Sequence, residues 1–163
     1  MILNLSSCHK KHLEQIDRIF FENSGVNFDS DDEKSIFKNK WLNPYLENER
    51  LFFVMIENDQ VIGYVNGMVS TPKIHPEFAE LVKQFPAHLH INVSGYHHGQ
   101  GLGEELIQFF HQQLIKTNIH GVHIITRPDA RNVGFYERNG YQFSQVSECG
   151  LFRFMGNRLI SLG

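Results

Sequence analysis

Residues 98–103 read His98-Gly99-Gln100-Gly101-Leu102-Gly103, three glycines in six positions. Glycine reaches backbone angles closed to other residues and lets the main chain approach a ligand. The flanking sequence makes this segment constraining. Before it, His88, His90 and Asn92 alternate with Leu89, Ile91 and Val93, the period of a strand. After it, Leu102, Leu106, Phe109, Phe110 and Leu114 recur at helical spacing over about four turns. A strand that passes through glycines into a helix offers the free N–H groups of the first helical turn to an anion, a pyrophosphate above all.

The remaining pattern is that of one mixed α/β domain over 1–163, without linker or repeat. Residues 2–5 read as an edge strand. Leu13, Ile16, Ile19 and Phe20 give 9–23 a helical apolar face. Ser30 with Glu33 is a capping box. It opens a second helix whose apolar face is Ile36, Phe37, Trp41 and Leu42, and Asn43-Pro44 ends it. Residues 51–56 and 61–69 form a hairpin about the turn 57–60, closed by Thr71-Pro72. A short helix spans 76–84. Gly121 leads into a strand at 122–126, Pro128-Asp129 opens another helix, and Gly140 stops it. Residues 141–146 and 151–155 read as a closing hairpin. The order is β-α-α-β-β-(α)-β-α-β-α-β-β.

Composition narrows the function. A formal net charge of −3 argues against a chain that grips nucleic acid by its phosphates. No run of eighteen apolar residues marks a membrane span, and the N-terminus lacks the apolar centre of a secretion signal. Two cysteines, Cys8 and Cys149, are too few for a disulfide framework, so a cytoplasmic setting is expected. Among the ten histidines, the group His88, His90, His97 and His98 lacks nearby carboxylates or cysteines, so no metal is expected. A dinucleotide fold is disfavoured because Ser94-Gly95-Tyr96-His97-His98 separates Val93 from the glycines. A Walker loop is disfavoured because no Lys-Ser or Lys-Thr follows them.

Residues 93–104 resemble the acyl-coenzyme A binding segment of the GNAT acyltransferases, Gln/Arg-x-x-Gly-x-Gly/Ala between a strand and a helix. Here His98 stands in the first position, and Gly95 replaces a usual proline. Phe135-Tyr136-Glu137-Arg138-Asn139-Gly140-Tyr141 resembles the family's second signature. Asp129 stands for its asparagine, with Asn132 one turn away. The run 87–93 looks like the GNAT-like domain attached to O-GlcNAcase and its stand-alone bacterial relatives.

The resemblance implies a mostly antiparallel sheet flanked by helices, with a splayed strand pair that holds acetyl-coenzyme A. It implies that Asn92 and Val93 contact the pantetheine arm. His98, Gly99, Gln100, Gly101, Leu102, Gly103 and Glu104 would cradle the pyrophosphate, with Asp129, Asn132 and Tyr136 as further contacts. Tyr136 is expected to donate to the departing thiolate, since a phenol of pKa ~10 stays protonated at neutral pH. The ordinary alternative is a tyrosine that only packs with Phe135. His90 or His88 is the expected base, at an unperturbed pKa of ~6.5, unless both are core or pocket residues. The acidic run Asp29, Asp31, Asp32 and Glu33 attracts a cationic acceptor or simply solvates a helix start. The expected activity is direct acetyl transfer to a primary amine. The alternative is a module that binds coenzyme A without turnover. Homodimers through the C-terminal strands are common in the resembled family.

Overall fold

The computed structural model describes residues 1–69 and 75–160; the expected turn at Thr71-Pro72 lies outside them. The strands are β1 (Ile2–Asn4), β2 (Phe52–Glu57), β3 (Gln60–Val69), β4 (Ala87–Val93), β5 (Gly121–Thr126), β6 (Phe143–Val146) and β7 (Arg153–Arg158). The helices are α1 (Lys10–Glu22), α2 (Asp31–Trp41), α3 (Asn43–Glu47), α4 (Ala79–Gln84), α5 (Leu102–Lys116) and α6 (Val133–Arg138). The strands hydrogen-bond in the order β1-β2-β3-β4-β5-β7-β6. The fold is therefore mixed α/β around a mostly antiparallel seven-stranded sheet. The chain divides into two compact units, residues 1–66 with 91–110 and residues 67–90 with 111–163.

In the first unit, β1 and β3 each pair antiparallel with β2. The β2–β3 connection is a two-residue loop, Asn58-Asp59, with φ of 47° and 62°. Two successive left-handed residues match the twist of a hairpin, and Asn and Asp tolerate that region best after glycine. Strand alternation sends Phe52 and Tyr64 to one face, where their rings stack at 5.3 Å. Phe53 goes to the other, against Phe109 and Phe110 of α5. Gly63 lets that helix close in. A Cβ there would stand 3.1 Å from both the Asn92 carbonyl oxygen and Leu106 Cδ1.

Helix α1 buries Ile16, Ile19 and Phe20, but His12 takes the inward place expected of Leu13, which is 40% exposed. The His9 N–H donates to His12 Nδ1 at 3.1 Å, which satisfies one donor of the first turn. Helix α2 begins as its sequence predicts: the Glu33 N–H donates to Ser30 Oγ at 3.2 Å. Its expected apolar face forms only in part: Ile36 and Trp41 are exposed, whereas Leu42, just past the end of the helix, is fully buried. Phe37 instead joins Phe20, Phe21 and Phe28 in an aromatic cluster. Pro44 ends α2 and at once begins α3, because a missing N–H costs nothing in a first helical turn.

In the second unit, β4 and β5 run parallel with Ala87 opposite Val122 and His88 opposite His123. The paired register covers these two positions. β7 pairs antiparallel with β5 on one side and β6 on the other. Phe78, Leu81, Phe85 and Phe154 form a buried cluster. Two glycines make room for it: a Cβ on Gly121 would lie 2.3 Å from the Gln84 carbonyl oxygen, and one on Gly156 would lie 2.8 Å from the Phe85 ring. The helix expected to open at Pro128-Asp129 begins later, at Val133. Residues 127–132 turn instead, with the Ala130 N–H on the Arg127 carbonyl and the Val133 N–H on the Ala130 carbonyl.

Candidate active site

The Gly-rich loop and the end of β4 belong to the first unit. Gly99 and Gly101 have φ of +78° and +79°, angles that a Cβ opposes. Open space surrounds the place a Cβ would take at either residue. The glycines are therefore set by backbone conformation and leave the main chain reachable. The first intrahelical bond of α5 runs from the Glu105 N–H to the Gly101 carbonyl. That geometry directs the N–H groups of Leu102, Gly103 and Glu104 toward the loop side, where the helix dipole favours an anion.

His98 turns back on the strand. Its Nε2 lies 2.9 Å from the Val93 carbonyl oxygen, which also accepts from Asn23 Nδ2 at 3.1 Å. A carbonyl has two acceptor sites, so protein donors fill this one and clasp loop, strand and α1 together. Gln100 likewise folds inward, its Nε2 donating to the Tyr96 carbonyl at 3.4 Å. Asn92 Nδ2 donates to the buried Tyr64 hydroxyl at 2.8 Å. Burial pushes the Tyr64 pKa upward, so the phenol stays neutral. No sequence pattern marks Asn23 and Tyr64 as partners of this segment. Tyr64 was detectable as a polar group inside the apolar run 61–69.

His88, His90 and Tyr136 belong to the second unit. His88 is buried and His90 is exposed. Their rings meet edge-on at 5.8 Å, and His88 meets His123 of β5 at 5.9 Å. His90 is exposed at its edge yet surrounded by protein atoms. Desolvation, then the neighbouring His123, draws its pKa down to about 4. The ordinary imidazole value expected for His90 therefore does not hold. Leu89, on the opposite face of β4, is core. Among the described residues no set of three His, Cys, Asp or Glu side chains is placed to hold a metal ion.

Tyr136 is buried, its ring edge-on to Phe135 and Tyr141 at 5.2 Å each. Burial raises its pKa, so the hydroxyl keeps its proton. Gly140, at φ +94°, closes α6 and lets the Tyr141 N–H reach the Tyr136 carbonyl at 3.1 Å. Asn132 sits at the start of α6, where its Oδ1 accepts from Thr126 Oγ1 at 3.2 Å, tying helix to strand end. Asp129 is held by Arg127 through two bonds of 3.2 and 2.9 Å. Gly134 has no packing duty: a Cβ there would meet only the movable Arg138 guanidinium at 3.4 Å.

The family model for the GNAT acetyltransferase domain matches residues 48–143, from β2 through the start of β6. No curated protein sequence matches the chain. Solved structures share the fold. SsHAT superposes with a TM-score of 0.79 at 19% identity, covering 99% of this chain and 98% of that one. The PaiA N-acetyltransferase of Thermoplasma acidophilum, solved with coenzyme A, gives 0.66 at 15%, covering 97% and 98%. A ribosomal-protein-alanine N-acetyltransferase of Brucella melitensis gives 0.64 at 18%, covering 98% and 99%. With more than half of its length matched by the family model, the chain belongs to the GNAT acetyltransferases.

Proposed function

We propose that this protein is an N-acetyltransferase that moves the acetyl group of acetyl-coenzyme A directly to a primary amine. The observation that carries the reading is the pair of left-handed glycines, Gly99 and Gly101, between β4 and α5. They leave backbone N–H groups reachable where a diphosphate needs them, and the position is that of the family's coenzyme A signature. PaiA, with its bound coenzyme A, supports the same choice of cosubstrate.

Bound acetyl-coenzyme A supplies an activated acyl carbon and a thiolate leaving group. The chain's part is to bind, orient and move protons. In the first unit the loop from His98 to Glu104 is assigned to the diphosphate and Asn92 and Val93 to the pantetheine arm; in the second unit Asp129 and Asn132 are the candidate contacts. His90 accepts the proton that the amine sheds, with His88 behind it. Of the two, His90 is the base, because its ring is accessible and that of His88 is buried. Tyr136 donates its hydroxyl hydrogen toward the departing sulfur; its raised pKa guarantees that the hydrogen is present. Cys8 and Cys149 lie outside both signatures, so direct transfer is preferred to a cysteine intermediate.

Titration calorimetry with acetyl-coenzyme A, followed by thiol release over a panel of amines, tests the reading. Binding with turnover of at least one amine supports it. Binding without thiol release across the panel makes the protein a coenzyme A binding module. Absence of binding overturns both.

A further inference from the structure

We infer that His123 is a positioning residue for the proposed base, orienting the row His123–His88–His90 from its buried end. The inference rests on the reading of His90 as base. His123 is almost wholly buried and lies directly opposite His88 in the parallel ladder. Its ring stacks on Phe154 at 4.8 Å and 14°. Its Nδ1 lies 2.5 Å from the Phe85 carbonyl oxygen. A carbonyl only accepts, so Nδ1 carries the hydrogen, and the Ala87 backbone is a second hydrogen-bond partner of the ring. Tautomer and ring plane are both fixed from outside the row.

His88 then packs against a ring that cannot turn, at 5.9 Å, and His90 packs edge-on against His88 at 5.8 Å. Three imidazoles so close do not share two protons, because like charges in a desolvated cluster repel. Burial holds His123 toward its neutral form, which leaves His90 to take the single proton the reaction delivers. Several groups bear on the row, the Ala87 backbone hydrogen-bonded to His123 among them. A proton on His123 would oppose one on His90, so the pair favours a single charge. Phe85 contributes a carbonyl and β7 the uncharged ring of Phe154. Arg158 is turned to the Phe85 ring and to Gln84.

Two substitutions separate positioning from packing. His123→Phe keeps a ring for Phe154 and loses the N–H. His123→Asn loses the ring and keeps an N–H donor near the place of Nδ1. If His123 positions the row, the Asn variant retains more activity than the Phe variant. The Phe variant then loses about tenfold in kcat while its acetyl-coenzyme A affinity holds. Its acid limb also moves to higher pH, since His90 has lost a competitor for the proton. The reverse order of activities, or two variants indistinguishable from the parent, overturns the inference. Nitrogen-15 NMR of the unliganded parent gives a readout independent of turnover and of any variant's folding. The Nδ1–H tautomer is expected at His123; the Nε2–H tautomer overturns the inference even if the enzyme is active. An expected tautomer in a protein that never binds acetyl-coenzyme A refutes the proposed function and leaves the geometry of the row standing.

Discussion

Tyr136 and His90 are asked to do opposite things, and burial prepares each. It raises the phenol's pKa and lowers the imidazole's, so both are neutral near pH 7, one as donor and one as acceptor. Tyr136→Phe is expected to lower kcat by about 10²-fold and leave cofactor affinity unchanged, because the hydroxyl matters when sulfur departs. An unchanged kcat reduces Tyr136 to a packing residue. For His90 the sign follows from the base's need to be neutral. Activity should be flat near neutrality and fall as pH drops through about 4. His90→Gln should remove that limb and His88→Gln should not. At this scale the sequence names the side chains and misses their partners. His88, His90 and Tyr136 stand in legible motifs. His123 does not, because its pairing with His88 depends on the register of a strand thirty-odd positions away.

The loop before α5 carries the proposed cofactor site, and its two glycines answer to backbone angle alone. Gly101→Val adds branched bulk beside N–H groups that the diphosphate needs, in a conformation that valine resists. Acetyl-coenzyme A binding should be lost in calorimetry. Gly95→Ala, with open space and no positive φ, is the control and should bind as the parent does. If Gly101→Val binds normally, the diphosphate sits elsewhere. Elements of this kind were readable because glycine spacing and strand alternation are local signals. Helix α2 was not: its periodic Ile36 and Trp41 promise a buried face, yet what covers a helix is decided by distant residues. The delayed start of α6 has a similar origin, since the turns at 127–132 satisfy backbone groups that a longer helix would have used.

Stability across the whole molecule should also record its buried histidines. His111 is buried, its Nε2 3.0 Å from the Tyr141 hydroxyl, and desolvation lowers its pKa to about 4. In the unfolded chain the same ring takes a proton near ~6.5. Between those values the unfolded state binds the extra proton, so stability rises with pH there. The contribution is complete above about pH 6.5 and is lost as pH falls toward 4, an effect of roughly 3 kcal/mol for one such ring. His123 shifts in the same direction and adds to the slope. Asp59 does not mimic this window: its pKa is lowered by hydrogen bonds from Lys11 and His12, so it weakens the fold only below its unfolded value near 3.8. Urea titrations at several pH values should therefore show the midpoint falling steadily between pH 6.5 and 4. His111→Gln removes the titrating ring and keeps a donor for Tyr141, so its pH dependence should be shallower by up to one proton. A variant as steep as the parent would show that His111 is protonated in the folded protein, and that the buried pair with Tyr141 tolerates a charge.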